Sequence, residues 1–500
     1  MAPPVTPRSP QVRRPADPGR PDAPRRLLVV GVVVAALAAL GVGWVGVAGQ
    51  PVASLPPGLV AAASGDIPPS ATATGAAAAS VGPAGSPSSR PTASRSPAVG
   101  SSTAPSPAVS PGASSPPPAS PRTALESRLQ STLDRLRAKN AIPGASVTIL
   151  FPDGTSWTGV SGLAEVATKT PVTPDTAFAF ASMSKTFTSA LILELAAEGK
   201  LTLGASAASL LPPGLPITVD RRITVAMLLD HTSGLADYFL NPKIDRALQR
   251  APTKAWTPAD ALRYVGKRLS PPGKAWHYSN TNYLLLGLIA ERLTGKPIAT
   301  SIRERFLDPL HLDATWYQAA EQARSNLADG YRVTSTKPTA RPADLDDGSG
   351  IAPFRSVVTA AGGAGSVAGT SADVARWARA LYGGDVLGPV GTGLLLSDFT
   401  KTTNYVPGVS YGFGVQALSI DGHPTLGHSG RLLGFRGVVR HLPIEGVTIA
   451  VLTNQSRTDP AVIARALLRV VLPPPAKPAP SAKPAPSTKP ASSASPAPAG

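Results

Sequence analysis

The hydrophobic positions of this chain change their period several times between residues 123 and 472. Four leucines spaced by three or four residues predict a helix over 124–139. Residues 145–151 then form a short apolar run, and a Pro-Asp-Gly turn separates them from a second run over 155–160. This arrangement predicts a β-hairpin directly after the first helix.

The middle of the same region is predominantly helical, and its end returns to strands. Helical spacing, supported by caps and glycine stops, predicts helices over 183–198, 259–269, 281–294, 297–306 and 372–382. Apolar runs predict strands over 412–418, 438–442 and 447–452, before a last helix that follows Asp459 and Pro460. Strands near both ends predict an α+β fold, in which an antiparallel sheet is flanked by helices and a mostly helical subdomain is inserted.

Proline and aromatic residues divide the chain into one folded body and its attachments. Of the 56 prolines, 34 lie in 1–26, 50–122 and 473–500. The chain has 25 aromatic residues, and all of them except Trp44 lie within 123–472. Segments rich in Pro, Ala and Ser without aromatic side chains cannot bury enough apolar surface to offset chain entropy. We therefore expect a disordered linker over 50–122, a disordered tail over 473–500 and one folded domain over 123–472.

Residues 27–49 are predicted to form a transmembrane helix. These 23 residues are uncharged and mostly apolar, and as a helix they would extend about 34 Å, enough to cross a hydrocarbon core of about 30 Å. Six arginines precede the segment within 1–26, whereas the next basic residue after it is Arg90. The positive-inside rule then predicts a cytoplasmic basic N-terminus and an extracytoplasmic folded domain. The alternative is a cleaved signal peptide and a secreted protein.

Charge and cysteine content exclude several classes of function. The formal net charge of +17 leaves +8 on residues 123–472, where no dense run of Lys and Arg is interleaved with aromatic residues, so nucleic acid is not an expected partner. The absence of cysteine excludes disulfides, thiolate metal sites and a cysteine nucleophile. His423 and His428 have no accompanying carboxylate cluster or HExxH pattern, so neither a metal nor a cofactor is predicted.

The first motif with catalytic potential is Ser182-Met183-Ser184-Lys185, at the start of the predicted helix over 183–198. Positions i and i+3 of a helix share one face, so the ammonium of Lys185 is expected beside the hydroxyl of Ser182. A serine needs a base to act as a nucleophile, and a lysine can be that base when burial lowers its pKa. Alone the pair is a weak signal, because Ser-x-x-Lys is common at the start of amphipathic helices.

Two further motifs carry suitable polar groups. Tyr278 and Asn280 lie two apart in a loop, where the phenol could relay a proton and the amide could orient a carbonyl group. Gly427-His428-Ser429-Gly430 lies between two predicted strands, where glycines would let backbone N–H groups approach an oxyanion. Each motif also has an ordinary structural interpretation, as a helix N-cap and as a hairpin turn, respectively.

In order and spacing, the three motifs belong to a larger pattern of five segments. These are FAFASMSKTFTSALILELAAEGKLTL (178–203), LLDHTSGLADY (228–238), PGKAWHYSNTNYLLLGLIAERLTG (272–295), AGGAGSVAGTSADVARWARAL (361–381) and YGFG followed by GHSG (411–414 and 427–430). Over roughly 125–470 the chain resembles the serine β-lactamase-like family, which includes class C β-lactamases and D-alanyl-D-alanine carboxypeptidases.

The resemblance implies catalytic roles by position. Ser182 would be the acylated nucleophile and Lys185 its activator, while Tyr278 would share the proton transfers. Which of Lys185 and Tyr278 is the base stays open at this stage. The backbone N–H groups of Ser182 and Arg431 would form the oxyanion hole.

The resemblance also implies a substrate-binding edge and two departures from the family pattern. Asn280 would orient the substrate amide, and His428, Ser429 and Gly430 would line the edge strand that receives the substrate. His428 stands where many β-lactamases have lysine, which favours carboxypeptidase-like and esterase-like members. Arg431 stands where relatives often have a second glycine, and its side chain would either clamp a substrate carboxylate or narrow the cleft.

Other residues with catalytic potential are interpreted as structural. Ser410 lies in a GxSxG pattern, but a strand-like run follows it where a nucleophile elbow needs a helix. His231 is expected to form structural hydrogen bonds, with Asp230, Asp237 and Tyr238 supporting the same loop.

Together these observations predict a membrane-anchored, extracytoplasmic serine hydrolase that forms an acyl-enzyme. D-alanyl-D-alanine carboxypeptidase-like action on cell-wall peptides is the expected activity, with peptidoglycan as the expected partner. An esterase or a class C-type β-lactamase is the first alternative. A penicillin-binding or sensor-like module that is acylated without turnover is the second.

Overall fold

A computed structural model describes residues 120–332 and 343–472 of the chain. The predicted basic N-terminus, transmembrane helix and tail, and nearly all of the predicted linker, lie outside the described residues. Within the described ranges, none of the helices has both the length and the apolar character needed to cross a membrane. The first helix begins at Pro121, two residues before the predicted start of the folded domain.

Helices and strands follow the predicted order along the chain. The helices are α1 (Pro121–Lys139), α2 (Lys185–Ala197), α3 (Ala207–Leu210), α4 (Val225–Leu229), α5 (Pro242–Arg250), α6 (Pro258–Leu262), α7 (Asn280–Thr294), α8 (Ile298–Ile302), α9 (Arg355–Ala361), α10 (Ser371–Gly383), α11 (Gly388–Leu395) and α12 (Ala461–Val471). The strands are β1 (Gly144–Leu150), β2 (Ser156–Glu165), β3 (Thr170–Pro171), β4 (Phe178–Ala179), β5 (Trp316–Tyr317), β6 (Tyr331–Arg332), β7 (Ala343–Asp344), β8 (Val367–Gly369), β9 (Thr400–Lys401), β10 (Ser410–Tyr411), β11 (Gln416–Ile420), β12 (His423–Leu432), β13 (Phe435–Leu442) and β14 (Val447–Thr453).

A large antiparallel sheet joins the two ends of the folded domain. In the described part of the chain its strand order is β3-β2-β1-β14-β13-β12-β11-β10-β9. The first strand, β1, pairs with the last, β14, with Val147 opposite Val451. All seven residues of each of these strands are buried, as expected for central strands covered on both faces. The α+β fold with an antiparallel sheet and flanking helices is therefore confirmed.

Apolar side chains form one core on each face of the sheet. On the outer face, β1 and β14 pack against α1 and α12, with Leu129, Leu133, Ile463 and Leu467 fully buried. On the inner face, a larger core includes α2, α7 and α10, where Phe187 and Trp377 stack with ring centroids 4.1 Å apart. The inner helices therefore form the layer from which a site against the sheet can be built.

Three predicted elements differ from the observed ones. The helix predicted over 259–269 ends at Leu262, and beyond its end the carbonyl of Tyr264 accepts a hydrogen bond from Asn241 Nδ2. The first part of the strand predicted over 412–418 is a turn, in which Gly414 has a φ of +80°, and the strand β11 begins only at Gln416. The helix predicted over 297–306 is α8 followed by a π-helical turn.

Candidate active site

Ser182 lies on a strained turn that leads into α2. Residues 181–184 form a 3-10 turn, and Ala181 has a φ of +51°, a left-handed conformation that costs a residue with a Cβ about 1–3 kcal/mol. Ser182 is partly exposed, while Ala181, Met183 and Ser184 are buried. The turn is held from behind by Ser184, whose Oγ accepts a hydrogen bond of 3.0 Å from the backbone N–H of Val367. The hydroxyl of Ser182 is thus presented to solvent on a fixed backbone.

Lys185 lies in the first turn of α2 with no exposed surface. Its Nζ donates to Ser182 Oγ at 3.1 Å, to Asn280 Oδ1 at 2.7 Å and to the carbonyl oxygen of Ala364 at 2.8 Å. These contacts use all three N–H groups of an ammonium. Burial lowers the pKa of Lys185 to about 7, while the Asp237 carboxylate acts in the opposite direction. A lysine in this state can give up or accept a proton near neutral pH.

Asp237 fixes the amide that contacts Lys185. Asn280 Nδ2 donates to Asp237 Oδ2 at 2.8 Å, and Asp237 Oδ1 accepts from the backbone N–H of Phe239 at 3.0 Å. Because lysine has only donors, the oxygen of Asn280 must face Nζ and its nitrogen must face Asp237. Burial raises the pKa of Asp237 to about 6. Lys185, Asn280 and Asp237 therefore form one hydrogen-bonded row behind Ser182.

Tyr278 covers this row from the cleft side. Its ring centroid lies 5.1 Å from Lys185 Nζ, and its ring stacks on Tyr405 at 5.4 Å with an interplanar angle of 13°. Burial raises the pKa of Tyr278 well above its ordinary value, Tyr405 raises it further, and hydrogen bonding with Ser182 lowers it in part. The phenol is therefore protonated at neutral pH, and its side chain interacts with that of Ser182.

His231 lies beneath Tyr278 and has no exposed surface. Its ring centroid is 4.4 Å from that of Tyr278, and its Nδ1 is 3.2 Å from the backbone nitrogen of Ser279 and 3.2 Å from Asn282 Nδ2. Burial lowers the pKa of His231 well below its ordinary value, with Lys185 adding to the effect. A neutral imidazole that accepts these bonds supports the Tyr278 loop and does not contact Ser182.

The third motif lies within strand β12 and not in a turn between strands. His428 has no exposed surface. Its Nδ1 donates to the Ser429 carbonyl at 2.7 Å, so its Nε2 accepts from Tyr411 Oη at 2.9 Å. Burial lowers the pKa of His428 to about 3, so the ring is neutral. The structure therefore places His428 beneath the cleft, where it orients Tyr411, whereas Ser429 is partly exposed and Arg431 is exposed.

Strand β12 lies between β11 and β13 in the sheet, but its C-terminal half pairs only with β13. Among the residues that the structure describes, its ladder with β11 ends at Gly427, while its ladder with β13 continues to Leu432. A Cβ on Gly430 would lie 2.2 Å from the carbonyl oxygen of Phe180, so this position must be glycine for the strand to contact the turn before Ser182. The open side of 428–432 thus borders the Ser182 turn, as expected for an edge that receives a substrate.

Several residues at the site were not identified as candidates from the sequence. Asp237 was expected only to support its loop, and Tyr405, Gln416 and Arg440 were not singled out. Position 440 does carry a signal, because an arginine that directly follows two valines in a predicted strand calls for a specific partner. Tyr405 and Gln416 have no such signal, since their contacts depend on how β10, β11 and β12 pair.

The structural interpretation of Ser410 agrees with its surroundings. Ser410 begins strand β10, and strand β11 follows it, so the strand–turn–helix geometry of a nucleophile elbow is not present at this position. In the described ranges, His, Asp and Glu side chains form no group of three that could hold a metal ion.

Comparison with known proteins identifies the class to which this site belongs. The family model named Beta-lactamase matches residues 129–472, and the chain belongs to this family. Penicillin-binding protein 4 of Amycolatopsis lactamdurans is 30% identical over 378 residues, which cover 70% of this chain and 93% of that protein. Unguisins hydrolase ungD' of Aspergillus campestris is 29% identical, and the match covers 65% of this chain but only 60% of that relative.

Solved structures of amide hydrolases share the fold. The D-stereospecific amidohydrolase from a Streptomyces species is 25% identical, with a TM-score of 0.59 over 69% of this chain and 98% of that one. The D-amino acid amidase from Ochrobactrum anthropi SV3 is 23% identical, with a TM-score of 0.60 over 70% of this chain and 98% of that one. The protein is thus a serine hydrolase with the β-lactamase fold.

Proposed function

We propose that this protein is a membrane-anchored, extracytoplasmic serine hydrolase that acts like a D-alanyl-D-alanine carboxypeptidase on cell-wall peptides. The proposal assigns the nucleophile to Ser182, its activation to Lys185 and Tyr278, and substrate orientation to Asn280. The observation that carries the assignment is the buried Lys185 ammonium, 3.1 Å from Ser182 Oγ and with a pKa lowered to about 7.

In the proposed acylation, Ser182 Oγ attacks the carbonyl carbon of the scissile amide. Its proton passes to neutral Lys185 Nζ, directly or through the hydroxyl of Tyr278. The tetrahedral oxyanion is stabilised by the backbone N–H groups of Ser182 and Arg431. The C–N bond then breaks as the leaving amine takes a proton, and a water hydrolyses the ester to release the acid and restore Ser182.

The nature of the relatives supports amides of D-amino acids as the substrate class. One solved relative is named as D-stereospecific and another as a D-amino acid amidase, and the relative from Amycolatopsis is named as a penicillin-binding protein. A terminal D-alanyl peptide combines a D-configured acyl group with a small leaving group, so it fits both descriptions. Neutral His428 supports the same choice over a β-lactamase, because it supplies no positive charge at that position.

The cellular location is supported by the sequence. The 23 apolar residues of 27–49 follow six arginines, and the proline-rich segment 50–122 would hold the catalytic domain away from the bilayer. Alkaline extraction of cells that express the full chain is expected to leave the protein in the membrane pellet. A protease added to intact cells is expected to cleave the catalytic domain. Full-length protein free in the medium would contradict the anchor.

The activity is tested with the purified full chain and a panel of four substrates: a diacetyl-lysyl-D-alanyl-D-alanine peptide, a D-amino acid amide, nitrocefin and a p-nitrophenyl ester. We expect release of D-alanine from the peptide, and a loss of about 10⁴-fold or more in Ser182→Ala. Ser410→Ala is the matched control and should retain full activity, because Ser410 does not contact the hydrogen-bonded row that Lys185 forms with Asn280 and Asp237. Turnover of the ester alone would exclude the peptidase, and fluorescent penicillin labelling without turnover would indicate a binding module.

A further inference from the structure

A cavity of about 200 Å³ lies among the helices of the inner layer, and none of the candidate catalytic residues lines it. Of its lining residues, Leu284 and Tyr317 are buried, whereas Pro297 and Ala320 are exposed, so the cavity is open to solvent on one side. A cavity of about 150 Å³ is large enough to hold benzene. This one therefore has room for a single ring with a polar substituent.

One face of helix α7 forms a wall of the cavity. Leu284, Gly287, Leu288 and Glu291 all line it, and their spacing of three and four residues places them on the same face of the helix. This stripe is apolar along most of its length and ends at a carboxylate. The rest of the lining is mostly apolar or aromatic, and it includes Trp256, Pro258, Ile298 and Tyr317.

Glu291 gives the cavity a negative charge that no side chain in the described ranges neutralises. Its Oε1 accepts one hydrogen bond of 3.1 Å, from the backbone N–H of Ile298. Burial raises the pKa of Tyr317, and the charge of Glu291 raises it further, which places the carboxylate near that phenol. Lys254 lies over the ring of Trp256, but it forms no ion pair with Glu291. Apolar surface beside an unpaired carboxylate complements a cation that has an apolar body.

A second wall of the cavity belongs to the segment that contacts α2 behind Ser182. Gly363 and Ser366 line the cavity. On the other side of the same segment, the Gly363 carbonyl accepts from Thr188 Oγ1 at 2.7 Å, and the Ala364 carbonyl accepts from Lys185 Nζ at 2.8 Å. A ligand that packs against this wall therefore bears directly on a backbone acceptor of Lys185.

Helix α7 provides a second connection between the cavity and Lys185. Asn280, whose Oδ1 accepts from Lys185 Nζ at 2.7 Å, is the first residue of this helix. It precedes Leu284 by four residues and so begins the stripe that ends at Glu291, about 16 Å further along the helix. Two of the three acceptors of Lys185 thus belong to elements that also form walls of the cavity.

We propose that this cavity is an effector site for a small planar cation with an apolar body, such as an aryl amidinium, and that its occupant changes the rate of acylation at Ser182. A planar cation fits because an amidinium can donate two parallel hydrogen bonds to a carboxylate while its ring packs on apolar surface. The binding does not depend on the chemistry at Ser182, whereas the effect on the rate rests on the proposed acyl transfer.

The test of binding uses three probes of nearly identical shape and different charge: benzamidine, benzamide and benzoate. Calorimetry with the purified full chain should show benzamidine binding at least about tenfold more tightly than benzamide, because only the cation makes charged hydrogen bonds to Glu291. Benzoate should bind more weakly than benzamide. Bound benzamidine should also raise the Tm, since it binds the folded state.

Glu291→Gln keeps an oxygen for the backbone N–H of Ile298 and removes the charge, so the difference between benzamidine and benzamide should fall below about twofold. Glu304→Gln is the matched control: Glu304 is exposed, pairs with Lys296 and does not line the cavity, and its loss should preserve the wild-type difference. Ala299→Phe places a ring in the cavity and should abolish benzamidine binding. If this variant fails to fold, Glu291→Gln still decides the question.

The effect on catalysis is measured as kcat/KM for a p-nitrophenyl ester with and without saturating benzamidine. We expect a change of about fivefold or more in the wild type, the lower end of typical allosteric coupling. Glu291→Gln should have the wild-type rate without benzamidine, and the same concentration of benzamidine should leave that rate unchanged.

The outcomes separate the effector site from the proposed function. Equal affinity for the three probes, or a preference for benzamidine that survives in Glu291→Gln, would overturn the site. Bound benzamidine without a change in rate would overturn the coupling. Inhibition that is equal in wild type and Glu291→Gln and is relieved by more ester would place benzamidine in the Ser182 cleft and overturn the proposal. If no ester acylates Ser182, the proposed function fails, while the binding comparison still tests the cavity.

Discussion

The two faces of the central sheet bury different kinds of side chain. On the outer face, α1 and α12 cover β1 and β14 with aliphatic side chains such as Leu133 and Leu467, both fully buried. On the inner face, beside the large apolar core, Lys185 and Asp237 are buried together. The outer face removes apolar area from water, whereas the inner face removes two ionisable groups from water.

This difference shows where folding energy is gained and where it is used for chemistry. Complete burial of a leucine side chain contributes about 1.5–3 kcal/mol, whereas burial of a charge opposes folding until hydrogen bonds compensate it. The inner face adds backbone strain at Ala181 and His231, whose φ angles are +51° and +66°. The stability provided by the outer face therefore supports a site that is costly to form.

The largest expected effect follows from replacing Lys185 with methionine, which has similar length but no charge. We expect the activity to fall by about 10³-fold or more, because Ser182 loses its activator. We also expect the free energy of unfolding at pH 7 to rise or stay equal, since a pKa of about 7 in place of 10.5 means that burial of this group costs a few kcal/mol. Ester turnover and urea unfolding measure the two effects.

The difference in stability between wild type and Lys185→Met should depend on pH, with a direction that follows from the lowered pKa of Lys185. Between about pH 7 and 10.5 the unfolded chain binds a proton at Lys185 that the folded chain does not, so the wild type should become more stable relative to Lys185→Met as the pH rises. Lys200→Met, at an exposed lysine just after α2, is the control and should change neither activity nor stability. A variant less stable than wild type by more than about 2 kcal/mol would mean that the three hydrogen bonds of Lys185 outweigh its desolvation.

The next effect is expected on the outer face, where Leu133→Ala should lower stability without altering catalysis. A cavity at this fully buried position costs about 2–5 kcal/mol, while the kcat/KM of the folded enzyme should stay within about twofold. Leu125→Ala, on the same helix but only partly buried, should cost less than about 1 kcal/mol. A change in kcat/KM in Leu133→Ala would show that the two faces are coupled, and that the comparison between them is too simple.

The outer face could be predicted from the sequence, and the inner face only in part. The predictions of a helix over 124–139 and a strand over 145–151 were correct within three residues. Apolar residues that face the core recur with the period of the helix or form one continuous run in the buried strand, and both patterns can be recognised in the sequence. Ser182 and Lys185 are three apart in the chain, so their contact follows from helical geometry alone. Such local contacts are within reach of pattern analysis.

Contacts between distant segments were not within reach. The Asn280–Asp237 bond joins residues 43 apart, and the Arg440–Gln416 bond depends on the register of three strands. His428, which was expected to line the edge strand that receives the substrate, has a buried side chain that hydrogen-bonds to Tyr411, a contact that the sequence did not predict. Such outcomes are decided by pairing and register, on which a single sequence gives little information.

The smallest expected effect, a shift in the pH profile, tests whether the two buried ionisable groups of the inner face act on each other. The carboxylate of Asp237 raises the pKa of Lys185 against the larger opposing effect of burial. Asp237→Asn removes that charge, so the pKa of Lys185 should fall. The one oxygen of the new amide can keep either the bond from Asn280 Nδ2 or the bond from the backbone N–H of Phe239, but not both. The change in the acid limb of kcat/KM for a neutral ester reports the shift.

If Lys185 must be neutral to accept the proton of Ser182, the wild-type rate rises with pH through about 7, and in Asp237→Asn the same rise should occur at lower pH. Asp230→Asn is the matched control from the same loop: the side chain of Asp230 accepts from the backbone N–H and the hydroxyl of Thr232, and Asp237, not Asp230, is the charge that acts on Lys185. Its profile should therefore coincide with that of the wild type. An unshifted limb in Asp237→Asn would mean that the observed titration belongs to a group other than Lys185.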